Sequence, residues 1–277
     1  MSLAASTRSE ITKQFTTAGW WILGVVLVGY VAFTAAALAF TLGGTATGLI
    51  GGGDGLPQLR EGLAGLLYSL ASSVGYVFPL LIGTLIVTVE FRHKTLTPTF
   101  LATPRRGTVM WAKILVGILL GVLYAAAAII ATVGTAAGVL AGLGLDTELG
   151  ASDTWALLGR IVIAFALWTL VGVGVGTLVR NQVAAIVIVL AFTQFVEPIA
   201  RLAGQFVNGL SNVTNYLPGA ASDALVGASV FSIGGGGGTS AAASMPLEWW
   251  AGGLVLAAYA VVFLILGHIL SWRRDVS

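Results

Sequence analysis

An all-α membrane protein with six transmembrane helices is predicted by three observations. The 277-residue chain is 57% apolar and 9% charged, with 38 glycines, a composition outside the range of a soluble globular domain. Six stretches, about 18–41, 62–89, 110–142, 155–179, 182–200 and 248–271, meet or approach the roughly 20 apolar residues needed to cross a bilayer core of about 30 Å. Charge is also segregated. With alternating spans, Arg8, Lys13, Arg92, Lys94, Arg105, Arg106, Lys113, Arg180, Arg273 and Arg274 fall on one side, and only Arg60, Arg160 and Arg201 on the other.

By the positive-inside rule, that asymmetry puts both termini in the cytoplasm. Trp20, Trp21, Trp111, Trp155, Trp249, Trp250 and Trp272 sit at span ends, where an indole prefers the interface, and only Trp168 is mid-span. Trp20-Trp21 opens a full-length span with no small-residue cleavage signature behind it, so no cleaved signal peptide is expected. The net charge of +2 reflects membrane orientation, and no nucleic-acid partner is expected. The absence of cysteine removes disulfide and thiolate chemistry.

Ahead of the first span, residues 6–17 read as an amphipathic helix lying in the membrane interface. Thr7-Arg-Ser-Glu10 matches a capping box, and Ile11, Phe15 and Ala18 form an apolar face opposite Glu10, Lys13 and Gln14. The loop at about 42–61 is Gly-rich. Pro79 predicts a kink in the second span, and Arg180-Asn181 a tight turn between the fourth and fifth.

Residues 201–247 are too polar to span and too apolar for a solvated loop. They read as two short helices dipping into the outer leaflet, one capped by Ser222-Asp223 and running through Phe231, then a Gly234–Gly238 linker. Gly117-x-x-x-Gly121, Gly134-x-x-x-Gly138-x-x-x-Gly142 and Gly172-x-x-x-Gly176 allow close helix approach.

No catalytic constellation is present. None of the three lysines follows a glycine, as a phosphate-binding loop requires. His93 and His268 lack partners at metal-ligand spacing. Asn212-Val-Thr214 matches only a three-residue glycosylation pattern.

The informative segment is Glu90-Phe-Arg-His-Lys-Thr-Leu-Thr-Pro-Thr-Phe-Leu-Ala-Thr-Pro-Arg-Arg106, followed by Lys113. Thr97 as N-cap with Pro98 at the first helical position, and Pro104 as a stop, frame one to two helical turns with Phe100 and Leu101 exposed. The residues alone leave two uses open: docking into a groove of another protein, or lying on anionic lipid.

Glu197 and Arg201 share one helical face. They read either as a mutually neutralising pair at the outer interface or, with Arg160, as a polar outer gate.

The chain resembles the permease subunits of ATP-binding-cassette exporters, specifically the type-2 permease family. The likeness rests on the amphipathic N-terminal helix, on Glu90-x-x-x-x-Thr95-Leu96, and on Leu101-Ala-Thr-Pro-Arg-Arg106 leading to Ala112-Lys113. It implies that the N-terminal helix, with Glu10, Ile11, Lys13 and Phe15, is a connecting helix. Residues 91–106 become a coupling helix that docks on the ATPase subunit. Glu90 anchors the junction, Arg105, Arg106 and Lys113 hold the loop, and Arg92, Thr95, Thr97, Pro98, Phe100, Leu101 and Pro104 complete it. The segment 198–231 resembles re-entrant external helices. Lys94 departs from the pattern, since many members carry glycine there.

The resemblance implies a single permease domain that is not itself an enzyme. It binds no cofactor, leaving ATP and Mg to a separate ATP-binding subunit in two copies. A second permease copy, as a homodimer in a bacterial plasma membrane, completes a pathway along spans one, two and five. The few charges within the spans suit an amphipathic or lipophilic cargo such as a drug, peptide or lipid-like compound. Two rival classes are an ATPase-independent channel or secondary transporter and a non-transporting membrane anchor. The transporter class predicts buried ionisable residues at mid-depth or repeated broken helices, and neither is visible in the sequence.

Overall fold

The structure, a computed structural model, describes residues 2–51, 60–102, 105–206, 211–229 and 247–272. Among these there is no strand. Six helical stretches are long and apolar enough to cross a membrane: Gly19–Thr47, Leu63–Arg92, Arg106–Gly142, Ser152–Leu178, Gln182–Gly204 and Trp249–Leu270. The chain is a multi-pass helical membrane protein.

Helix α1 (Leu3–Thr16) precedes the spans. Its N-cap is Ser2, whose Oγ accepts from Ala5 N at 3.3 Å. The expected capping box fails because the helix starts a turn earlier. Thr7 therefore lies inside it and donates to Leu3 O at 2.9 Å. The first span is α2 (Gly19–Thr47).

The second span is broken into α3 (Leu63–Ser73) and α4 (Val77–Arg92). The break falls at 74–76, one turn before Pro79, because a proline ring clashes with the carbonyl four residues back and offers it no N–H. A short helix, α5 (Leu96–Ala102), links this span to the third, α6 (Arg106–Gly142). Then come α7 (Ser152–Leu178) and α8 (Gln182–Ala191). A π-helical turn at Phe192–Val196 leads from α8 into α9 (Glu197–Phe206).

Helices α10 (Ser211–Thr214) and α11 (Pro218–Val226) precede the last span, α12 (Trp249–Gly267). Ser222 and Asp223 do not cap α11. Leu217 holds the N-cap position with Pro218 at the helix start, and the helix stops at Val226 because Gly227 turns left-handed at φ 89°. Phe231 and the Gly234–Gly238 segment lie outside the described residues.

The second span is the most buried and packs chiefly on α7. Gly83 meets the Thr169 carbonyl, and Gly172 and Gly176 meet backbone atoms of Leu80 and Thr84. Only hydrogen fits where two backbones touch in this way. Gly117 and Gly121 likewise face α7 at Thr169 and Phe165. By contrast, nothing lies within 4 Å of a side chain placed at Gly134, Gly138 or Gly142. That repeat makes no close approach among the described residues. The second span is central in the chain, whereas the first and fifth spans are peripheral.

Candidate functional site

Four charged side chains meet where α1, α4 and α6 converge. Lys113 Nζ lies 2.8 Å from Glu10 Oε2 and 2.9 Å from Glu90 Oε2. Lys13 Nζ lies 2.7 Å from Glu10 Oε1 and 2.9 Å from Glu90 Oε1. The result is a closed ring in which each carboxylate bridges both ammonium groups. The Lys113–Glu90 contact is an ion pair whose angle falls outside hydrogen-bond geometry. Lys113 also reaches Ile86 O at 3.3 Å, and Lys13 reaches Thr99 Oγ1 on α5 at 3.3 Å. One tetrad thus touches α1, α4, α5 and α6.

Lys113 is 0% exposed, and Glu10 and Glu90 are buried, while the Lys13 side chain is 36% exposed. Two positive and two negative charges cancel, which is the condition for burying any of them. Burial by itself would raise the Glu10 carboxyl, but Lys113 and Lys13 outweigh it and hold it below its ordinary value. Burial would lower the Lys13 ammonium, but Glu10 and Glu90 hold it above its usual range.

This arrangement turns the expected face of α1 inside out. Ser6 and Glu10 point into the bundle, Ile11 packs beside them, and Phe15 is exposed with its ring 4.8 Å from that of Trp20. An amphipathic helix normally turns its polar face to water. Here the polar face finds opposite charge on two neighbouring helices.

The linker helix α5 begins at Leu96, earlier than expected. Thr95 occupies the cap position, with Thr99 N donating to its carbonyl at 3.2 Å. Thr97 is therefore inside the helix, and Pro98 is its third residue, where no N–H is required of it. Phe100 is only partly exposed, packing on the core beneath the Arg106 guanidinium at 5.2 Å. Leu101 is 78% exposed. Arg92 and Arg105 are also exposed, and Pro104 lies outside the described residues. Lys94 adopts φ 55°, a left-handed conformation that glycine reaches without strain. Lys113, grouped from sequence with Arg105 and Arg106 as a residue that holds the loop, is buried in the tetrad.

A second polar cluster surrounds α11. Arg201 Nη2 donates to Asp223 Oδ2 at 2.7 Å, and Ser229 and Ser73 donate to the same carboxylate at 2.6 and 2.9 Å. Glu197 lies within the field of the Arg201 charge. Its Oε1 also accepts from Gly219 N and, at 3.2 Å, from Ala220 N, capping the start of α11. The Arg160 guanidinium lies 5.0 Å over the Trp249 ring. The three proposed gate residues are thus split among three tasks. Asp223, read from sequence as a helix cap, is the partner that sequence reasoning missed.

Among the described residues no group of His, Asp and Glu is arranged to hold a metal. The fold and these two clusters define a helical membrane protein whose charges brace helix junctions. No protein-family model matches the chain, and no curated protein matches it.

Proposed function

We propose that the chain is the permease subunit of an ATP-binding-cassette exporter of the type-2 family, working as a homodimer with two separate ATPase subunits. The observation that carries this reading is the tetrad. It joins the interfacial helix α1, the linker helix α5 and the ends of the second and third spans into one unit. A force applied to α5 therefore reaches two spans and α1 together.

On this reading the tetrad side is cytoplasmic, in keeping with its excess of Lys and Arg. Leu101, Arg92 and Arg105 face the ATPase, which binds ATP and Mg. Closure of the ATPases would push α5 and switch the spans between inward and outward access for an amphipathic or lipophilic cargo. The depth at which α11 packs suits a re-entrant element. Ser222 lies 3.0 Å from Trp168 Nε1, sixteen residues into α7, which is about 24 Å along that helix.

Co-purification tests the reading. The full chain expressed with a Walker-motif ATPase from the adjacent reading frame should yield a stable complex and ATP-dependent transport. Leu101→Asp should weaken the complex. A chain that transports without any ATPase would defeat the proposal.

One observation favours a secondary transporter instead. The second span is broken at 74–76, the fifth contains a π-helical turn, and Glu197 and Asp223 are buried beside these irregularities. Broken helices with buried carboxylates are what a gradient-driven transporter would use. Uptake or efflux that survives ATP depletion, collapses with a protonophore and is abolished by Glu197→Gln would select this second reading.

A further inference from the structure

The fifth and sixth spans pack on neighbouring helices of the bundle and barely touch each other. Between them lies a cavity of about 350 Å³. Trp168, Val171, Val175 and Leu178 form its back wall, all on one face of α7, while Ile188 and Phe263 stand on either side and Pro218 closes one end. Its polar groups are already engaged. Trp168 Nε1 donates to Ser222 Oγ at 3.0 Å, and Tyr259 OH to Tyr216 O at 3.2 Å.

A buried water needs two to four polar partners, and an apolar cavity of about 150 Å³ already stays dry and takes up benzene. The slot between the spans offers water no partners. Its wall on α7, from Trp168 to Leu178, covers eleven residues, which is about 15 Å at the helical rise. That is roughly half the ~30 Å hydrocarbon core, the depth of a single leaflet. The slot starts under Pro218 near mid-span and ends at the tetrad side of α7. Ile188 is half exposed at its edge, so the slot opens laterally on the flank of the bundle. Arg180 follows Val179 directly, exposed and with no ion-pair partner among the described residues.

We propose that this slot holds one acyl chain of a phospholipid from the leaflet on the tetrad side, with the lipid phosphate on Arg180. Depth, dryness and lateral opening suit a single chain, and Arg180, the residue after Val179 at the wall's end, stands at headgroup level. The site is independent of the exporter reading, because it needs neither an ATPase nor a cargo. A chain held there would keep the fifth and sixth spans apart while filling the space between them.

Photolabelling tests this on the full chain in nanodiscs. Two probes carry the same diazirine-bearing acyl chain, one as phosphatidylglycerol and one as diacylglycerol without phosphate. Labelled residues are mapped by mass spectrometry. The expected result is label from the phosphatidylglycerol probe on Val171, Val175 and Ile188, stronger than from diacylglycerol. Val175→Trp should remove that label, and Arg180→Gln should erase the difference between the probes. Phe33, 74% exposed on the first span, should be labelled in every variant and reports a folded, reconstituted chain. Should Val175→Trp lose the Phe33 label as well, Val171→Phe carries the same prediction. No label in the slot, slot label that persists in the filled variants, or equal labelling by both probes would each overturn the proposal.

Discussion

Lys113 Nζ lies 2.8 Å from Glu10 Oε2, across 103 positions of chain, and is wholly buried. Two carboxylates and a carbonyl surround this ammonium, so removing it leaves Glu10 and Glu90 facing each other with only Lys13 between them. Lys113→Met should destabilise the protein by about 3–5 kcal/mol, the usual cost of stranding a buried charge. Thermal unfolding in detergent measures this. The double variant Glu10→Gln/Lys113→Gln keeps Glu90 and Lys13 as a matched pair and should recover part of the loss.

The tetrad also sets a pH window for the docking of α1. The Glu10 carboxyl is held below its ordinary value of 4.5, so its contribution is complete above that value and is lost as pH falls through the lowered one. The Lys13 ammonium is held above its ordinary 10.5, so its contribution is complete below that value and is lost as pH rises through the raised one. Hydrogen exchange of α1 amides, corrected for intrinsic rate, should be flat between about pH 5 and about pH 10. A midpoint near neutrality would contradict the charge assignment.

Lys94 is strained. A non-glycine residue at φ 55° costs roughly 1 kcal/mol against glycine, and Lys94 is exposed and makes no ion pair among the described residues. Lys94→Gly should therefore leave stability unchanged or raise it by up to about 1 kcal/mol. Lys94→Ala should bring no such relief, and the melting temperatures of the two variants separate these outcomes.

Small residues between the second and fourth spans give a paired comparison. Gly172→Ala places a methyl against the Leu80 carbonyl and Thr84 N and should cost at least about 1–3 kcal/mol, the range for overpacking. Gly138→Ala meets nothing within 4 Å and should be neutral or mildly stabilising, since alanine favours the helix. Unfolding of both variants in the same detergent decides it. A loss at Gly138 equal to that at Gly172 would point to a contact outside the single chain.

The six spans were legible because a bilayer imposes a length and an apolarity that one sequence displays directly. Their irregularities were less so. Pro79 announced the break in the second span, but the chain itself yields one turn earlier, at Gly75. The inward turn of α1 was hidden because the usual rule sends Glu10 and Lys13 to water, and their partners Glu90 and Lys113 lie 77 or more positions away. Glu90 and Lys113 bounded the basic segment in the sequence, but only the family resemblance gave them a role at the helix junction. The further partners of Glu197 and Arg201 were hidden for a similar reason. Helical spacing puts the two on one face, but Asp223 also offers Arg201 a buried carboxylate, and the N–H groups at the start of α11 offer Glu197 two donors.

On the proposed exporter reading α5 is where ATP-driven motion enters the membrane domain, and Leu101 is 78% exposed on it. A photo-crosslinking amino acid at Leu101, in cells expressing the full transporter, tests it most directly. Leu149, exposed at the opposite ends of the spans, serves as the control. The account predicts that Leu101 captures a Walker-motif ATPase subunit, that Leu149 does not, and that Leu101→Asp uncouples transport from ATP while leaving the fold intact. Capture of no ATPase at Leu101, with transport continuing after ATP depletion, would contradict it.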